Sequence, residues 1–274
     1  MTSVMATRMA TSNDGKLSGE VVIVTGGTQG LGEGIAYHLA ALGVDGLVIC
    51  GRNQDGGERV AAALNQSGCP SSYIRADLAR EEDCRRVVQA CDTRFGRVNG
   101  LVNAAGITTR GTLEDTTVRL WNNIFAVNVR APFILTQEAV RIMKRENIRG
   151  SIVNILSDYS YGGAPEHMAY SASKGALAIL TKNVAHALRF DRIRVNGINM
   201  GWTYTVGEDA LQRSTGQPDN WLELAEIQLP FRRLLRPTDI AALTAYLLSM
   251  DAEMMTGSLI DLTEKVMGAS DGDS

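Results

Sequence analysis

The sequence predicts an α/β protein: a doubly wound parallel β-sheet in a three-layer αβα arrangement, within a single domain. Short apolar, β-branched runs alternate with amphipathic helical patterns along most of the chain, which is typical of parallel strands joined by helical crossovers. A glycine-rich turn at residues 26–34 (GGTQGLGEG) separates the first such strand from the first helix. Neither an internal repeat nor a low-complexity linker interrupts this alternation, so we expect one sheet.

Composition limits the classes of function. The chain has 274 residues, of which 45% are hydrophobic and 21% charged, as in ordinary globular proteins. The net charge of −3 and the lack of a basic stripe argue against nucleic acid as a partner. No apolar run reaches the roughly 18 residues of a membrane-spanning helix. The four cysteines lack metal-ligand spacing, so we predict no metal site, and reduced thiols in a cytoplasmic protein.

Domain boundaries follow from the same patterns. Residues 1–15 are rich in Met, Thr and Ser without an apolar core segment, so we expect a disordered tail rather than a secretory signal. Residues 16–268 are predicted to form the single dinucleotide-binding domain. Residues 202–231 within it are expected to form a lobe that covers the substrate, and residues 269–274 a frayed tail.

The first unit is a strand over residues 20–25 followed by the glycine-rich turn and a helix. We expect Gly26 to allow the tight turn, Gly30 to let the backbone approach a pyrophosphate, and Gly32 to let the helix pack on the strand. The backbone N–H groups at the start of this helix are suited to bind the anion. Thr28, Gln29 and Leu31 complete the predicted phosphate-binding loop.

The second strand, residues 47–50, ends at Arg52, where a dinucleotide fold meets the adenine ribose. An acidic residue at this position binds the 2′-hydroxyl of NAD, whereas an arginine suits the 2′-phosphate of NADP. Arg52 therefore favours NADP(H), and NAD(H) stays possible. The alternative is a surface arginine that stacks on adenine with either cofactor.

The next two strands supply further predicted cofactor contacts. After a helix over residues 53–67, a third strand begins at Tyr73-Ile74 and is expected to end at Asp77-Leu78, near the adenine amino group. A helix over 81–95 leads to a fourth strand, residues 98–102. This strand runs into small residues against which a ribose can lie, namely Asn103, Ala104, Ala105 and Gly106.

Residues 113–146 are predicted to form a long helical region that is broken near Pro132. Asn128 lies here within an apolar segment, and a buried amide needs a hydrogen-bond partner. A role in a site and a capped helix irregularity before Pro132 both explain this residue.

The most informative stretch is residues 151–174. An apolar strand over 151–156 is followed by Ser157, a glycine turn, and a helix that begins near His167. Tyr170 and Lys174 are four residues apart and so lie on one helix face. A nearby cation favours the phenolate, and a tyrosine with a lowered pKa can exchange a proton with an alcohol or ketone. The alternative is an ordinary solvated helix pair, because the pair alone is a weak motif.

After this helix, which extends through Leu188, we predict a strand over 193–198, a helix over 237–250 and a last strand over 255–261. Together the motifs resemble the short-chain dehydrogenase/reductase family in its single-domain form, which has a Rossmann-type fold. The resemblance covers residues 16–261. Its motifs are Thr25-Gly26-x-x-x-Gly30-x-Gly32, Asn103-Ala104-Ala105-Gly106, and Tyr170-x-x-x-Lys174 with Ser157 upstream.

The resemblance implies an NAD(P)-dependent oxidoreductase that transfers a hydride between a nicotinamide and a secondary alcohol or ketone. It implies that Tyr170 is the general acid/base, that Lys174 binds the nicotinamide ribose, and that Ser157 holds the substrate oxygen. Asn128 would connect Lys174 to solvent through a water molecule. A homotetramer or homodimer is also expected.

Two further cofactor contacts are implied by the resemblance, namely Thr203 with the carboxamide and Thr205 near the pyrophosphate. The family's usual Pro-Gly before them is Met200-Gly201 here, which we expect to loosen the turn.

The substrate is suggested by the variable stretch 202–231 and its surroundings. Trp202, Asp158 and His167, together with Ser157 and Tyr170, suggest a polar pocket rich in acceptors. Such a pocket favours a sugar, polyol or cyclitol. The alternatives are a 3-oxoacyl or steroid-type ketone reductase, which would have an apolar tunnel, and a non-catalytic dinucleotide-sensing protein.

Overall fold

The computed structural model describes residues 15–269. Residues 1–14 of the predicted disordered tail and residues 270–274 of the predicted frayed tail lie outside the described residues.

Seven parallel strands form one sheet in the order β3-β2-β1-β4-β5-β6-β7. The chain builds outward from β1 in one direction and then returns to β4 on its other side, so the strand order reverses between β1 and β4. The predicted doubly wound parallel sheet is confirmed. The strands are β1 Val21–Thr25, β2 Gly46–Gly51, β3 Ser71–Arg75, β4 Gly100–Asn103, β5 Ser151–Ile155, β6 Arg194–Met200 and β7 Leu259–Leu262.

Helices cover both faces of the sheet, which gives the predicted three layers. One layer includes the first, second and ninth helices, and the other includes the third, fifth and sixth. The helices are α1 Gly30–Ala41, α2 Gln54–Gln66, α3 Glu81–Phe95, α4 Val118–Phe125, α5 Ala131–Arg145, α6 Met168–Leu188, α7 Val206–Ser214, α8 Trp221–Gln228 and α9 Pro237–Leu248.

The strands at the centre are apolar on both sides because both sides meet helices. In β1, Val22 and Val24 belong to the core under α1 and α9, whereas Val21 and Ile23 belong to the core under α3 and α5. A parallel strand that is covered on both faces is expected to form a continuous apolar run rather than an alternating one. This explains why the strands could be located from their β-branched runs.

Three predicted boundaries are wrong. Strand β3 ends at Arg75, so Asp77 and Leu78 lie in the loop beyond it, and β7 starts at Leu259 rather than at residue 255. The helical region begins at Val118. Its break lies just before Pro132, as predicted, but the helix does not end there.

The break is instead a π-helical turn at Ala126–Arg130, and Asn128 lies in its middle. Turns of this kind inside α-helices are frequently found at functional sites.

The four cysteines are buried, and none of them forms a disulfide within the described residues. No helix between residues 15 and 269 combines the length and the apolar character needed to span a bilayer.

Candidate active site

A cavity of about 740 Å³ opens at the carboxyl ends of the strands, where the strand order reverses. This is the position at which doubly wound sheets bind their ligands. Fifteen of the sixteen predicted cofactor residues line it: Gly26, Thr28, Gln29, Gly30, Leu31, Gly32, Arg52, Asp77, Leu78, Ala104, Gly106, Tyr170, Lys174, Thr203 and Thr205.

The glycine loop has the geometry of a phosphate cradle. Gly30 has a φ of +57°, which favours glycine, and it forms the first turn of α1 beside the cavity. A Cβ on Gly32 would lie 2.4 Å from the carbonyl oxygen of Gly26, so only glycine lets the helix start this close to the strand end. The N-cap residue Gln29 makes no side-chain cap, which leaves the first N–H groups of α1 without a side-chain acceptor.

The remaining predicted cofactor residue, Asn103, does not line the cavity. Its Nδ2 donates to Asn154 Oδ1 at 2.8 Å, across the pair β4 and β5, and the side chain is buried. Thr25 has a related role, since its hydroxyl accepts from the backbone N–H of Ala104 and of Ala105, both at 3.0 Å. These polar side chains hold the strand ends together beneath the cavity, and the Asn103 Oδ1 is buried without a hydrogen-bond partner among the described residues.

Arg52 is exposed at the end of β2 and lines both this cavity and a neighbouring recess of about 450 Å³. Three further arginines, Arg75, Arg80 and Arg86, line the recess. Its buried carboxylate, Asp83, is already engaged, because it pairs with Arg86 and accepts from the backbone N–H of Asp77. The adenosine end of the predicted dinucleotide groove is therefore rich in cations.

Tyr170 and Lys174 lie on one face of α6 and are almost completely buried, with 8% and 5% of their surfaces exposed. This burial rules out the ordinary solvated helix pair. Lys174 Nζ donates to the carbonyl oxygen of Ile155 at 2.7 Å and lies 5.7 Å from the centroid of the Tyr170 ring. An ammonium carries three donors, so the group can make further hydrogen bonds on the cavity side.

Burial controls the ionisation of this pair. It raises the pKa of Tyr170 to about 12, and the Ser157 hydroxyl acts in the opposite direction. Burial also lowers the pKa of Lys174 to about 8. The expected lowering of the tyrosine pKa by Lys174 is not seen, because burial disfavours the charged form of both groups. At neutral pH the phenol keeps its proton and can donate it.

Ser157 lies two residues beyond β5 and begins a short 3₁₀ turn, Asp158–Tyr161. Its hydroxyl accepts from the backbone N–H of Tyr159 at 3.2 Å and donates to Asp158 Oδ1 at 3.2 Å. Ser157 is buried, and its hydroxyl lowers the pKa of Tyr170 against the larger effect of burial.

Asn128 is fully buried and satisfied. Its Oδ1 accepts from the Ile107 N–H at 2.8 Å, and its Nδ2 donates to the Ile107 carbonyl and to the Ser173 hydroxyl, both at 3.0 Å. It therefore clamps the loop after β4 onto α6 and does not cap a helix. A Cβ on Gly106 would lie 3.6 Å from both Asn128 Oδ1 and Lys174 Nζ, so the amide and the ammonium flank the same glycine.

The predicted substrate residues divide into two groups. Asp158 and His167 lie on the Ser157 side, where the rings of Tyr159 and His167 are 6.4 Å and 6.0 Å from the Tyr170 ring. Burial lowers the pKa of His167, and its Nδ1 is buried without a hydrogen-bond partner among the described residues. Trp202 lies in the lobe, where its indole N–H donates to Glu208, which lines the cavity.

The turn without the family's proline is held by other contacts. Leu235 accepts from the Tyr204 N–H at 2.8 Å and donates to the Trp202 carbonyl at 3.0 Å. Thr203 is buried beside the cavity, and the Thr205 hydroxyl caps α7 by accepting from Glu208 N–H at 3.0 Å. The expected loosening is therefore offset by a backbone ladder to a distant segment.

Sequence reasoning missed several residues that shape the site. The carbonyl of Ile155 holds Lys174, and both backbone groups of Ile107 hold Asn128. Such backbone contacts do not depend on the residue type, so the sequence does not indicate them. Asn154 could have been found, since it is a polar residue in an apolar strand. Lys265 Nζ lies 3.5 Å from the Asp158 carboxylate, but no motif around Lys265 indicates a place in the site.

No group of three or more His, Cys, Asp or Glu side chains within residues 15–269 is arranged to hold a metal ion.

Comparisons with known proteins agree with this geometry. The family model described as short chain dehydrogenase matches residues 20–215. The NADP-dependent (R)-specific alcohol dehydrogenase of Lentilactobacillus kefiri is 32% identical over 245 residues, 89% of this chain and 94% of that protein. The cyclopentanol dehydrogenase of Comamonas sp. (strain NCIMB 9872) is 30% identical over 246 residues, which are 89% of this chain and 95% of that protein.

Among solved structures, an actinorhodin polyketide ketoreductase with NADPH superposes with a TM-score of 0.84 at 26% identity, covering 89% of this chain and 95% of the other. The family model alone spans more than half of the chain, and it includes the glycine loop, Ser157, Tyr170 and Lys174. This protein therefore belongs to the short-chain dehydrogenase family.

Proposed function

We propose that this enzyme interconverts a secondary alcohol and a ketone with NADP(H) as the redox partner. The observation that carries the proposal is the buried pair of Tyr170 and Lys174 beside Ser157, at the edge of a cavity built around a phosphate-binding glycine loop. Two relatives named as alcohol dehydrogenases support the reaction class.

The residues divide the chemistry between them. Tyr170 keeps its proton at neutral pH and donates it to the substrate oxygen when a ketone is reduced. In the opposite direction the phenol must first lose this proton to solvent, and the phenolate then accepts the alcohol proton. Ser157 donates a hydrogen bond to the same oxygen and stabilises the charge that develops on it. Lys174 keeps a positive charge near that oxygen and binds ribose hydroxyls, while Asn128 fixes the loop across from it.

The cavity fits a dinucleotide. Three features line the groove: the glycine loop, whose space a Cβ would fill; the start of α1, which has no side-chain cap; and the small residues Ala104 and Gly106. The nicotinamide supplies or accepts the hydride when it is bound. Thr203 and Thr205 are assigned to its carboxamide end and to the pyrophosphate.

Preference for NADP(H) is assigned to Arg52 and to the arginine-lined recess next to it. The guanidinium groups of Arg52, Arg75 and Arg80 offer planar donors that suit a phosphate. Both the NADP-dependent relative and the NADPH-bound structural neighbour are consistent with this assignment.

Replacement of Arg52 by aspartate tests it. The carboxylate would repel a 2′-phosphate and accept from a 2′-hydroxyl, so we expect Arg52→Asp to reduce the ratio of kcat/KM for NADPH to that for NADH by about tenfold or more. The control is Arg59→Asp, an exposed arginine on α2 that pairs with Glu33. An unchanged ratio in Arg52→Asp would remove Arg52 from cofactor selection.

For the substrate we assign a polyhydroxylated or cyclic secondary alcohol, such as a sugar, polyol or cyclitol. The His167 ring, 6.0 Å from the Tyr170 ring, and the carboxylates of Asp158 and Glu208 make the surroundings of the reaction centre polar. The related cyclopentanol dehydrogenase is named for a cyclic secondary alcohol. The similarity to a polyketide ketoreductase favours the alternative, a 3-oxoacyl-type ketone.

A panel assay distinguishes these candidates. Purified protein is assayed with sugars, polyols, cyclitols, cyclic alcohols, 3-oxoacyl thioesters and steroid ketones, each with NADP(H) and NAD(H), by nicotinamide absorbance. Turnover limited to acyl or steroid substrates would reject the polyol assignment. Tight NADPH binding without turnover of any member would favour the non-catalytic sensor, although Ser157, Tyr170 and Lys174 are all retained.

Self-association is proposed through the outer face of α4, α5 and α6. A groove of about 690 Å³ there is lined by Phe125, Phe133, Ile179 and Leu180, and Ile179 is 61% exposed. A homodimer or homotetramer would bury this apolar surface. Light scattering should give a mass of two or four chains, and a monomer would reject the proposal.

The four buried, unbridged thiols agree with a cytoplasmic location.

A further inference from the structure

The segment that follows β7 returns to the Ser157 end of the active site. Gly201 N–H donates to the Leu262 carbonyl at 3.0 Å, and a Cβ on Gly201 would lie 2.6 Å from Thr263 Oγ1. Glycine at this position therefore lets the segment pass close to the turn after β6. The Thr263 hydroxyl then accepts from Lys265 N–H at 3.2 Å, which directs the chain back towards the site.

Lys265 reaches a carboxylate beside the catalytic serine. Its Nζ lies 3.5 Å from Asp158 Oδ2, and the Asp158 side chain is 9% exposed. No other carboxylate in an ion pair between residues 15 and 269 is buried as deeply; the next, Asp83, is 13% exposed. A buried carboxylate without a counter-charge is costly, so this contact matters more than an exposed pair of the same type.

Asp158 also competes for the hydrogen of the Ser157 hydroxyl. Ser157 donates to Asp158 Oδ1 at 3.2 Å and accepts from the Tyr159 N–H. A serine hydroxyl has one proton to donate. If Ser157 is to hold a ketone oxygen, that proton must turn from the carboxylate to the substrate.

The turn that carries Asp158 cannot relieve this competition by swinging away. Tyr161 at its end donates to Asp261 Oδ1 at 2.9 Å, and Asn199 donates to the same oxygen at 2.8 Å. The Ser160 hydroxyl donates to Asn199 Oδ1 at 3.1 Å. The turn is thus tied to β6 and β7, and the carboxylate stays beside Ser157.

We propose that Lys265 is a positioning residue that acts through Asp158. By holding this carboxylate, Lys265 weakens the hydrogen bond from the Ser157 hydroxyl to Asp158. Ser157 is then able to donate its proton to the substrate oxygen in a hydrogen bond. The inference rests on the proposed alcohol/ketone chemistry. It gives the last segment of the chain a role in the reaction.

Three variants at position 265 and one control test the proposal. Because hydrogen bonds to charged groups are among the stronger ones, we expect Lys265→Met to lower kcat for ketone reduction about tenfold. The KM for NADPH should not change. Lys265→Arg keeps the charge and should retain most of the activity, whereas Lys265→Gln should resemble Lys265→Met. Lys144→Met removes an exposed lysine that pairs with Asp191, and it should leave kcat unchanged.

A double-mutant cycle separates this role from a general effect on the fold. In an Asp158→Asn background the neutral amide is a weaker competitor, so Lys265→Met should cause no further loss of kcat. The same tenfold loss in both backgrounds would overturn the proposal, as would a loss in Lys265→Arg equal to that in Lys265→Met.

A crystal structure of the wild-type protein adds a readout that needs no turnover. The distance to measure is that between Lys265 Nζ and the Asp158 carboxylate. A distance of more than about 4 Å is beyond ion-pair range and would overturn the proposal, whatever the activity. The proposed function is judged separately, from the panel assay on wild-type enzyme.

Discussion

The glycine-loop edge of the sheet and the lobe over it meet the same cavity but are built differently. At the loop, backbone atoms are in direct contact, and a Cβ on Gly32 would lie 2.4 Å from a carbonyl oxygen. In the lobe, a Cβ on Gly207 would find its nearest neighbour at 3.8 Å. Side chains hold the lobe instead: the indole of Trp202 donates to Glu208, and that of Trp221 donates to Asp209.

This difference determines how freely the residues of each region can be substituted. Backbone contacts allow one residue type, so the loop keeps a fixed shape and a fixed ligand. Side-chain contacts in the lobe can be exchanged at less cost to the fold than the backbone contacts of the loop. Substitutions at the loop and at the catalytic centre should therefore impair chemistry or folding more than substitutions in the lobe.

The largest effect is expected at the catalytic centre. Tyr170→Phe removes the hydroxyl that transfers the proton and keeps the ring that packs beside Tyr159 and His167. General acid–base catalysis contributes about 10²–10⁴-fold, so we expect kcat to fall by a factor in this range. NADPH affinity, measured by nucleotide fluorescence, should stay within about threefold of wild type, because the phenol is one contact among many.

Tyr159→Phe is the matched control, since it removes a hydroxyl from the neighbouring ring. Its effect should be confined to KM for the substrate. Full activity of Tyr170→Phe would refute the assignment of the general acid.

A smaller effect, on stability, compares the two regions directly. Gly32→Ala forces a methyl group against the Gly26 carbonyl, and we expect the free energy of unfolding to fall by about 1–3 kcal/mol. Gly207→Ala, within α7, should raise it by about 0.5–1 kcal/mol because alanine is the better helix former and has room. Chemical denaturation measures both. Equal effects would show that the loop is no more constrained than the lobe.

The same contrast explains what could be predicted from the sequence. The glycine loop was predictable because its glycines lie where the backbone has a positive φ or where there is no room for a Cβ, and only glycine tolerates both. The strands were predictable because burial on both faces demands apolar runs. Pro132 predicts a break near this position, and the irregularity lies just before it; the form that the break takes, a π-helical turn around Asn128, is not indicated by any residue type.

Contacts between distant segments were not predictable. The motif around Asn103 predicts a position beside the cofactor, but it does not indicate that the Asn103 side chain donates to Asn154, which is 51 residues away. Lys265 and Asp158 are 107 residues apart, and nothing near either one indicates the other. The pKa of Tyr170 depends on how deeply the pair is buried, and spacing on a helix cannot report that.

A last prediction concerns the cost of burying the Lys174 ammonium beneath the cavity. Burial lowers the pKa of Lys174 from 10.5 to about 8, so the folded protein binds its proton less tightly than the unfolded chain does. Lys174 then adds no penalty above pH 10.5; its cost to the folded state grows as the pH falls from 10.5 to 8 and stays constant below that. Lys174→Met should therefore raise the free energy of unfolding at pH 7 by about 1–2 kcal/mol, while abolishing turnover.

The matched control is Lys182→Met, an exposed lysine two turns further along the same helix. It should change stability little at any pH. The gain in Lys174→Met should shrink between pH 8 and 10.5, where the folded wild type has lost the lysine proton and the unfolded chain still holds it. A loss of stability at pH 7 would mean that the hydrogen bond to the Ile155 carbonyl outweighs the cost of burying the charge.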